Sequence, residues 1–541
     1  MLIKLLTLGA LGIVRDQQGI RVGKINLDIS ANRVTGAQAG VETPDNVEYL
    51  SPTQDGIAPN GKEYLTLDEA VANLTRTGGH WNVGGNGVIT YSFLEQAPNG
   101  LYNNPHETYL AGLTQEFSPF TAEQRDAARE AIALWDDLIA PKFVEKNGHG
   151  GGADINFMNT GEGGPGQAAA FIPDNYGKYN KINGDLYVDA LQPDNFDLYP
   201  GGYGQTTMVH EIGHTIGLSH TGDYNAGVDA NGNPIPITYA NNATYFQDSY
   251  QFSIMSYFGA NNTGARGYVN WATGGYYQTP QTPMIHDIAA VQAVYGADLT
   301  TRTGNTTYGF NSTADRDVYD FTINTNPFLS IYDAGGNDTL DLSGFTGGQA
   351  ILDLRPGAFS TGYNYGDAAQ LNSVWHVAFS QATWNAIYDG RTSNPGFLTQ
   401  NIGIAYNTII ENGRTGASND TLIGNDVGNV LDGGKGNDVF TGNGGNDIFT
   451  FNDLGGADRI TDFARGSDKI DLRGLDAIGG TTKNDAFTFL GDGAFTNHAG
   501  ELHTTLSNGA WILSGDVNGD GVADFSINLG TVHVTSSDIY L

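Results

Sequence analysis

Thr207-Met208-Val209-His210-Glu211-Ile212-Gly213-His214-Thr215-Ile216-Gly217-Leu218-Ser219-His220 is the stretch on which the reading of this chain turns. On a helix, residues four apart lie about 40° apart in projection, so His210 and His214 share a face. Two imidazoles on one face can meet one Zn²⁺ at about 2.0–2.1 Å. Glu211 then stands beside the metal rather than on it, where its carboxylate can take a proton from an attacking water. Gly217 can adopt the left-handed conformation that ends a helix, and the chain turns back to bring His220 as a third ligand. Three protein ligands leave one position open, the arrangement of a catalytic zinc rather than a structural one. A bare pair of histidines could be ordinary core residues. Five fixed positions between His210 and His220 have a chance expectation on the order of 10⁻⁵, so coincidence is set aside.

The pattern His-Glu-x-x-His-x-x-Gly-x-x-His, followed by Ser253-Ile254-Met255-Ser256-Tyr257, resembles the metzincin zinc peptidases, and among them the serralysins. The resemblance implies that Met255 forms a hydrophobic floor under the zinc. It also implies that Tyr257 is a distant fifth ligand at rest and a donor to the developing oxyanion during turnover. Three further stretches are similar to the same family: Phe117 to Arg125, His220 to Gly227 and Asp287 to Gly296. Coverage runs from about residue 50 to the C-terminus. One departure is Thr221, where the family usually has proline directly after the third histidine. Ala168 to Ile172 corresponds to the family's edge strand, which pairs with an extended substrate backbone; such recognition implies broad sequence tolerance. His80, His106, His149, His286 and His376 show no ligand spacing and read as structural or surface residues.

A second pattern fills the C-terminal half. Asp420, Asp438 and Asp447 fall on a nine-residue period whose missing member is Asn429, and Leu422, Leu431, Phe440 and Phe449 keep the same period. This pattern resembles the glycine-rich nonapeptide of RTX proteins, which implies a Ca²⁺-binding parallel β-helix with the apolar residue inward. A flexible linker would need no such apolar column. Asn429 offers no charge, so its site should be weaker. The outlying copy Asp333-Ala334-Gly335-Gly336-Asn337-Asp338-Thr339-Leu340 resembles a serralysin segment with two Ca²⁺ sites. That resemblance implies Arg302, Gly304 and Thr306 as partners for one ion, and Glu411 with the backbone of Ile409 for the other. Asp516 to Asp524 looks like an EF-hand loop but has Ile527 where the bidentate glutamate belongs.

Composition sets the outer bounds. The 541 residues carry 59 acidic against 25 basic side chains, a net charge of −34, with 76 glycines and no cysteine. That charge disfavours nucleic acid as a partner, and the missing cysteines exclude disulfides and thiolate chemistry. No apolar run reaches the roughly 18 residues of a transmembrane helix, so membrane insertion is not expected. Leu5 to Val14 mimics a weak signal peptide without a cleavage site, and residues 1–40 read better as the pro-segment of a zymogen. Residues 41–300 then form an α/β metzincin zinc-protease domain. Residues 301–541 form an all-β RTX parallel β-roll with a β-sandwich-like C-terminal region, loaded with several Ca²⁺.

The ending Asp538-Ile539-Tyr540-Leu541 resembles an uncleaved export signal for a type I secretion apparatus, so the expected location is extracellular. The expected protein is a monomeric, secreted endopeptidase acting on protein substrates. The rival reading is a Ca²⁺-dependent adhesin or surface-layer protein with a vestigial protease domain. It conflicts with the intact set of His210, Glu211, His214, His220 and Tyr257. A polysaccharide-acting enzyme lacks a placeable pair of carboxylates.

Overall fold

The computed structural model describes residues 15–16, 19–20 and 56–541, except for 86, 100–101, 103–107, 115, 147–151, 162–166, 174–181, 225–234, 270–275, 346–347, 365–379, 381–397, 455 and 480–483. The expected pro-segment therefore lies outside the described residues, apart from the paired stretches Arg15–Asp16 and Gly19–Ile20. His106, His149, His376 and Asn225 to Gly227 lie outside them as well.

The N-terminal half is built on a five-stranded sheet. Its strands are β1 (Val88–Phe93), β2 (Lys142–Glu145), β3 (Ile155–Thr160), β4 (Ala168–Ala170) and β5 (Asp185–Asp189), in the order β2-β1-β3-β5-β4. All neighbours are parallel except β4, which runs antiparallel to β5 in the register Ala168↔Val188 and forms the sheet's edge. Helices α2 (Ala122–Asp136) and α3 (Tyr203–Thr215) pack on it and on each other, and α1 (Leu67–Leu74) packs against α4 (Ile285–Tyr295).

Local chemistry starts and stops these helices. Thr121 and Gln124 cap α2 reciprocally, at 3.2 and 3.0 Å, satisfying two otherwise orphaned amides. Behind that box Ala128, Ile132 and Trp135 form the apolar stripe, and Ile139 extends it beyond the helix; all four are buried against the sheet. Helix α4 ends at Gly296, whose φ of +79° a side chain would resist.

After residue 300 the described chain contains no α-helix. Short strands alternate between two sheets: Thr421–Ile423 pairs with Val439–Thr441 in one, and Val430–Asp432 with Ile448–Thr450 in the other. Each pairing is parallel and joins residues 18 apart, so two nonapeptides make one turn. Leu422, Leu431, Phe440 and Phe449 point inward, each 1% exposed or less. The C-terminal strands are not a separate body: Phe525–Asn528 pairs parallel with Ala457–Ile460 and carries an antiparallel extension, Ala510–Asp516 and Glu501–Ser507, of the same sheet. One buried cluster joins the two halves, with Phe252, Met284 and Ile285 packed among Phe328, Phe359 and Leu398. Among the described residues no helix is long and apolar enough to cross a membrane.

Candidate active site

Helix α3 is fixed along its length. Trp135 Nε1 of α2 donates to the Val209 carbonyl at 3.0 Å. At the C-terminal end, the Thr215 and Ile216 carbonyls accept from Trp81 Nε1 (2.8 Å) and the Tyr295 hydroxyl (2.9 Å). These are the orphan acceptors of a helix end, and satisfying them fixes where the helix stops. Gly217 follows with φ +109°, and a Cβ there would lie 2.1 Å from the Gly79 carbonyl oxygen. Glycine is needed twice over, for the torsion and for the close approach.

The turn brings His220 back to the helix. His220 Nε2 lies 3.2 Å from His210 Nε2 and 3.1 Å from His214 Nε2. Each ring's other nitrogen meets a main-chain carbonyl: His210 Nδ1 that of Ile254 (2.8 Å), His214 Nδ1 that of Leu218 (2.7 Å) and His220 Nδ1 that of Tyr224 (3.0 Å). A carbonyl only accepts, so each Nδ1 carries the proton and each Nε2 presents a lone pair. Three lone pairs at this separation cannot hydrogen-bond to one another. They fit a common cation, since two nitrogens about 2.0–2.1 Å from a tetrahedral zinc lie ~3.3 Å apart. Among the described residues, these three form the one group of three or more histidines and acidic residues so placed. Burial depresses His210 to about 4 and lowers His214 too, both consistent with neutral rings.

Glu211 is buried beside them, and its Oε2 has no hydrogen-bond partner. Burial pushes its carboxyl up to about 8; a cation on the histidines would pull it back down. Met255 lies fully buried beneath the helix: a Cβ on Gly213 would meet its sulfur at 2.7 Å. The Tyr257 ring lies 4.5 Å from that of His220 and 6.1 Å from that of His210. Edge strand β4 is tied to the same helix through Gln167, whose Nε2 donates to Thr207 Oγ1 at 2.9 Å and whose carbonyl accepts from Asn195 Nδ2 at 2.8 Å.

Two residues that sequence reading missed hold the turn around Met255. Asp287 accepts from Ser253 Oγ (2.6 Å), the Ile254 amide (2.7 Å) and the Met284 amide (2.8 Å). Its place at the third position of α4 was the available signal, since that position commonly caps a helix. Asp248, whose Oδ1 accepts from three hydroxyls, has no local signal at all.

The calcium candidates are partly assembled. Asp338 Oδ1 accepts from the Thr306 amide at 2.7 Å, and its own amide donates to Glu411 Oε2 at 2.7 Å. A Cβ on Gly336 would meet the Gly304 carbonyl oxygen at 2.4 Å, so these two loops touch through backbone. Asp333 accepts from the Gly335 amide and the Tyr308 hydroxyl. The Arg302 guanidinium turns instead to Asp137, leaving its main chain as the part that belongs to the loop. Ile409 lies on the surface, 46% exposed.

In the repeats, Asp438 Oδ1 accepts from the Asp420 amide (2.8 Å) and Asp447 Oδ1 from the Asn429 amide (2.9 Å). Asp458 and Asp468 continue the series at 2.9 and 3.1 Å; insertions move them off the nine-residue period, and sequence reading passed over them. Asn429 breaks it, because its side chain donates through Nδ2 to the Glu411 carbonyl at 3.0 Å instead of accepting from the Glu411 amide. In the loop that resembles an EF-hand, Asp516 accepts from the Gly519 and Gly521 amides, and Asp524 from the amides of Val517 and Asn518. Those carboxylates serve the loop's own backbone.

Three histidine nitrogens facing one point, with a buried carboxylate beside them, make the arrangement of a hydrolytic metal site. A profile of the family described as "Peptidase M10 serralysin C terminal" matches residues 297–367 and 366–541. The chain is 38% identical over 518 residues to the metallopeptidase AprA of Pseudomonas marginalis, covering 91% of this chain and 95% of that protein. It is 36% identical over 501 residues to the metalloprotease AprA of Pseudomonas entomophila, covering 89% and 91%. To serralysin C of Dickeya chrysanthemi it is 36% identical, over 68% of this chain and 66% of that one. The chain belongs to the serralysin family of metalloproteases.

Proposed function

We propose that this chain is a secreted, zinc-dependent endopeptidase of broad specificity, with His210, His214 and His220 as zinc ligands. The observation that carries the reading is the set of three Nε2 lone pairs, each fixed by a backbone carbonyl, beside the unpaired Oε2 of Glu211. Zinc held there would supply a Lewis acid for the scissile carbonyl and would acidify the attacking water. Glu211 takes the proton from that water and delivers it to the leaving amine. Tyr257 donates to the oxygen on which negative charge develops. The free edge of β4 pairs with an extended substrate backbone, which favours tolerance of many side chains.

In this reading residues 41–300 are a metzincin domain and 301–541 a Ca²⁺-stabilised β-roll, exported as a monomer by a type I apparatus. Calcium suits the roll chemically. Asp338 Oδ2 is buried without a partner, and burial and neighbouring acids push Asp338 up to about 7 and Asp438 to about 8. Divalent cations relieve both conditions. The test is casein hydrolysis by purified protein, with zinc removed by a chelator and then restored. Activity that survives full removal of zinc would end the proposal.

A further inference from the structure

The loop carrying His220 is held from two sides by different chemistry. On the α1 side, main-chain oxygens serve: Arg76 donates to the carbonyls of His220 and Gly222, and Asn73 to that of Thr221. On the other side the link is a side chain. The Thr221 hydroxyl donates to Asp248 Oδ1, which also accepts from the Tyr224 hydroxyl and Ser256 Oγ, both at 2.8 Å. Thr221 and Asp248 are fully buried, and Asp248 Oδ2 has no partner. Ser256 adjoins Tyr257, and the Tyr257 amide donates to the Tyr224 hydroxyl at 3.4 Å. Tyr224 in turn accepts the His220 Nδ1 proton at its carbonyl, and its ring is nearly parallel to that of His220, at 12°.

One carboxylate oxygen thus gathers three hydroxyls from the two segments that carry His220 and Tyr257. A buried carboxylate that accepts several hydroxyl bonds is a strong, directional anchor. We propose that Asp248 is a positioning residue that holds His220 and Tyr257 in one register, and that Thr221 is its hold on the histidine loop. A residue without a side-chain hydroxyl, such as the proline usual in the resembled family, could not donate this bond. The inference rests on the roles proposed for His220 and Tyr257, and it predicts effects on both at once.

The test uses the full-length, calcium-loaded protein and the variants Thr221→Val, Thr221→Ser and Asp248→Asn. Valine keeps the shape of threonine and removes the hydroxyl. Loss of such an outer partner commonly costs about 10- to 100-fold in metal affinity or activity. Thr221→Val should therefore release zinc to a chelator at least about tenfold faster and lower kcat by a similar factor, with KM changed less than about twofold. Thr221→Ser should restore both, and Asp248→Asn should reproduce the loss in a protein that still binds one zinc at saturation. Zinc release and kcat at wild-type values in both Thr221→Val and Asp248→Asn would overturn the proposal, as would failure of serine to rescue. If wild-type protein and Asp248→Asn alike bound no zinc, the zinc reading itself would fail, and that outcome is distinct.

Discussion

Arg302 Nη1 donates to Asp137 Oδ2 at 2.8 Å, joining the residue that caps α2 to the first loop of the C-terminal half. Both side chains are nearly buried, at 7% and 11% exposed, and Arg316 adds a bond to Asp137 Oδ1 at 2.7 Å. Arg302 also donates to the Tyr308 hydroxyl, which reaches Asp333. Removing Asp137 would leave Arg302 only the exposed carboxylate of Asp315, 3.0 Å from the same Nη1, so the cost falls below the ~3–5 kcal/mol of a buried charge left wholly unpaired. Asp137→Ala should lower the melting temperature and split one unfolding transition into two, as followed by calorimetry. A single transition at the wild-type temperature would show that the halves do not depend on this pair.

Glu211→Gln should keep about one zinc per chain and lose about 10²–10⁴-fold in kcat, because the ligands survive and the proton acceptor does not. Metal analysis and casein assays on the same preparation decide it. Wild-type turnover in the zinc-loaded variant would remove Glu211 from the mechanism.

Tyr257→Phe should lower kcat by about 10²–10³-fold while KM changes little, since a donor to the transition state is lost and substrate binding is not. An unchanged kcat would leave Tyr257 as a packing partner of His220.

The repeats should respond to calcium unequally. Asp438→Ala should move the calcium midpoint of the β-sheet circular dichroism signal upward more than Asn429→Ala does. Asp438 contributes a charge and caps the Asp420 amide, whereas Asn429 offers an uncharged amide that donates to Glu411. Equal shifts would mean that charge at these positions does not set affinity.

Acidity should act on the calcium-free protein with a definite sign. Burial and like charge hold Asp438 near 8 and Asp338 near 7, and burial holds Asp420 and Asp447 near 6. These values lie above the roughly 3.9 of an unfolded aspartate, so folding favours the protonated form. That contribution is complete below about pH 4 and is lost as pH rises through about 6 to 8. Protein stripped of calcium should therefore melt at a lower temperature at about pH 8.5 than at about pH 5.5. Saturating calcium should weaken the trend, leaving the part due to buried carboxyls outside the repeats such as Glu211 and Asp287. A calcium-free melting temperature that rises with pH would contradict the assignment.

The sequence was legible where function repeats a short local pattern. His210, Glu211, His214 and His220 sit within one helix and its turn, so spacing alone implied that they meet. The nine-residue period implied parallel strands, because each inward side chain must stack on the one a full turn away. The cap of α2 is local in the same way, with Thr121 and Gln124 three residues apart, whereas the edge position of β4 was implied only by the family resemblance. Asp248 was not, because its three donors come from the 221–224 and 256 segments and share no period with it. The partner of Arg302 was equally hidden, since Asp137 is 165 residues away. Asp458 and Asp468 were missed because insertions in the repeat break the count while preserving the hydrogen bonds.

The shared cluster of Phe252, Met284, Ile285, Phe328, Phe359 and Leu398 has a consequence for survival among like molecules. A peptidase at high local concentration meets its own chain more often than any other protein. With Phe252, Met284 and Ile285 locked among residues of the C-terminal half, these segments of the catalytic half are closed to a neighbour's grip. Were the C-terminal half to open, those three residues would lose their packing, and the catalytic half would offer extended chain to any neighbouring peptidase. If calcium holds the C-terminal half closed, as proposed, its level would also set how long each molecule survives among its own kind.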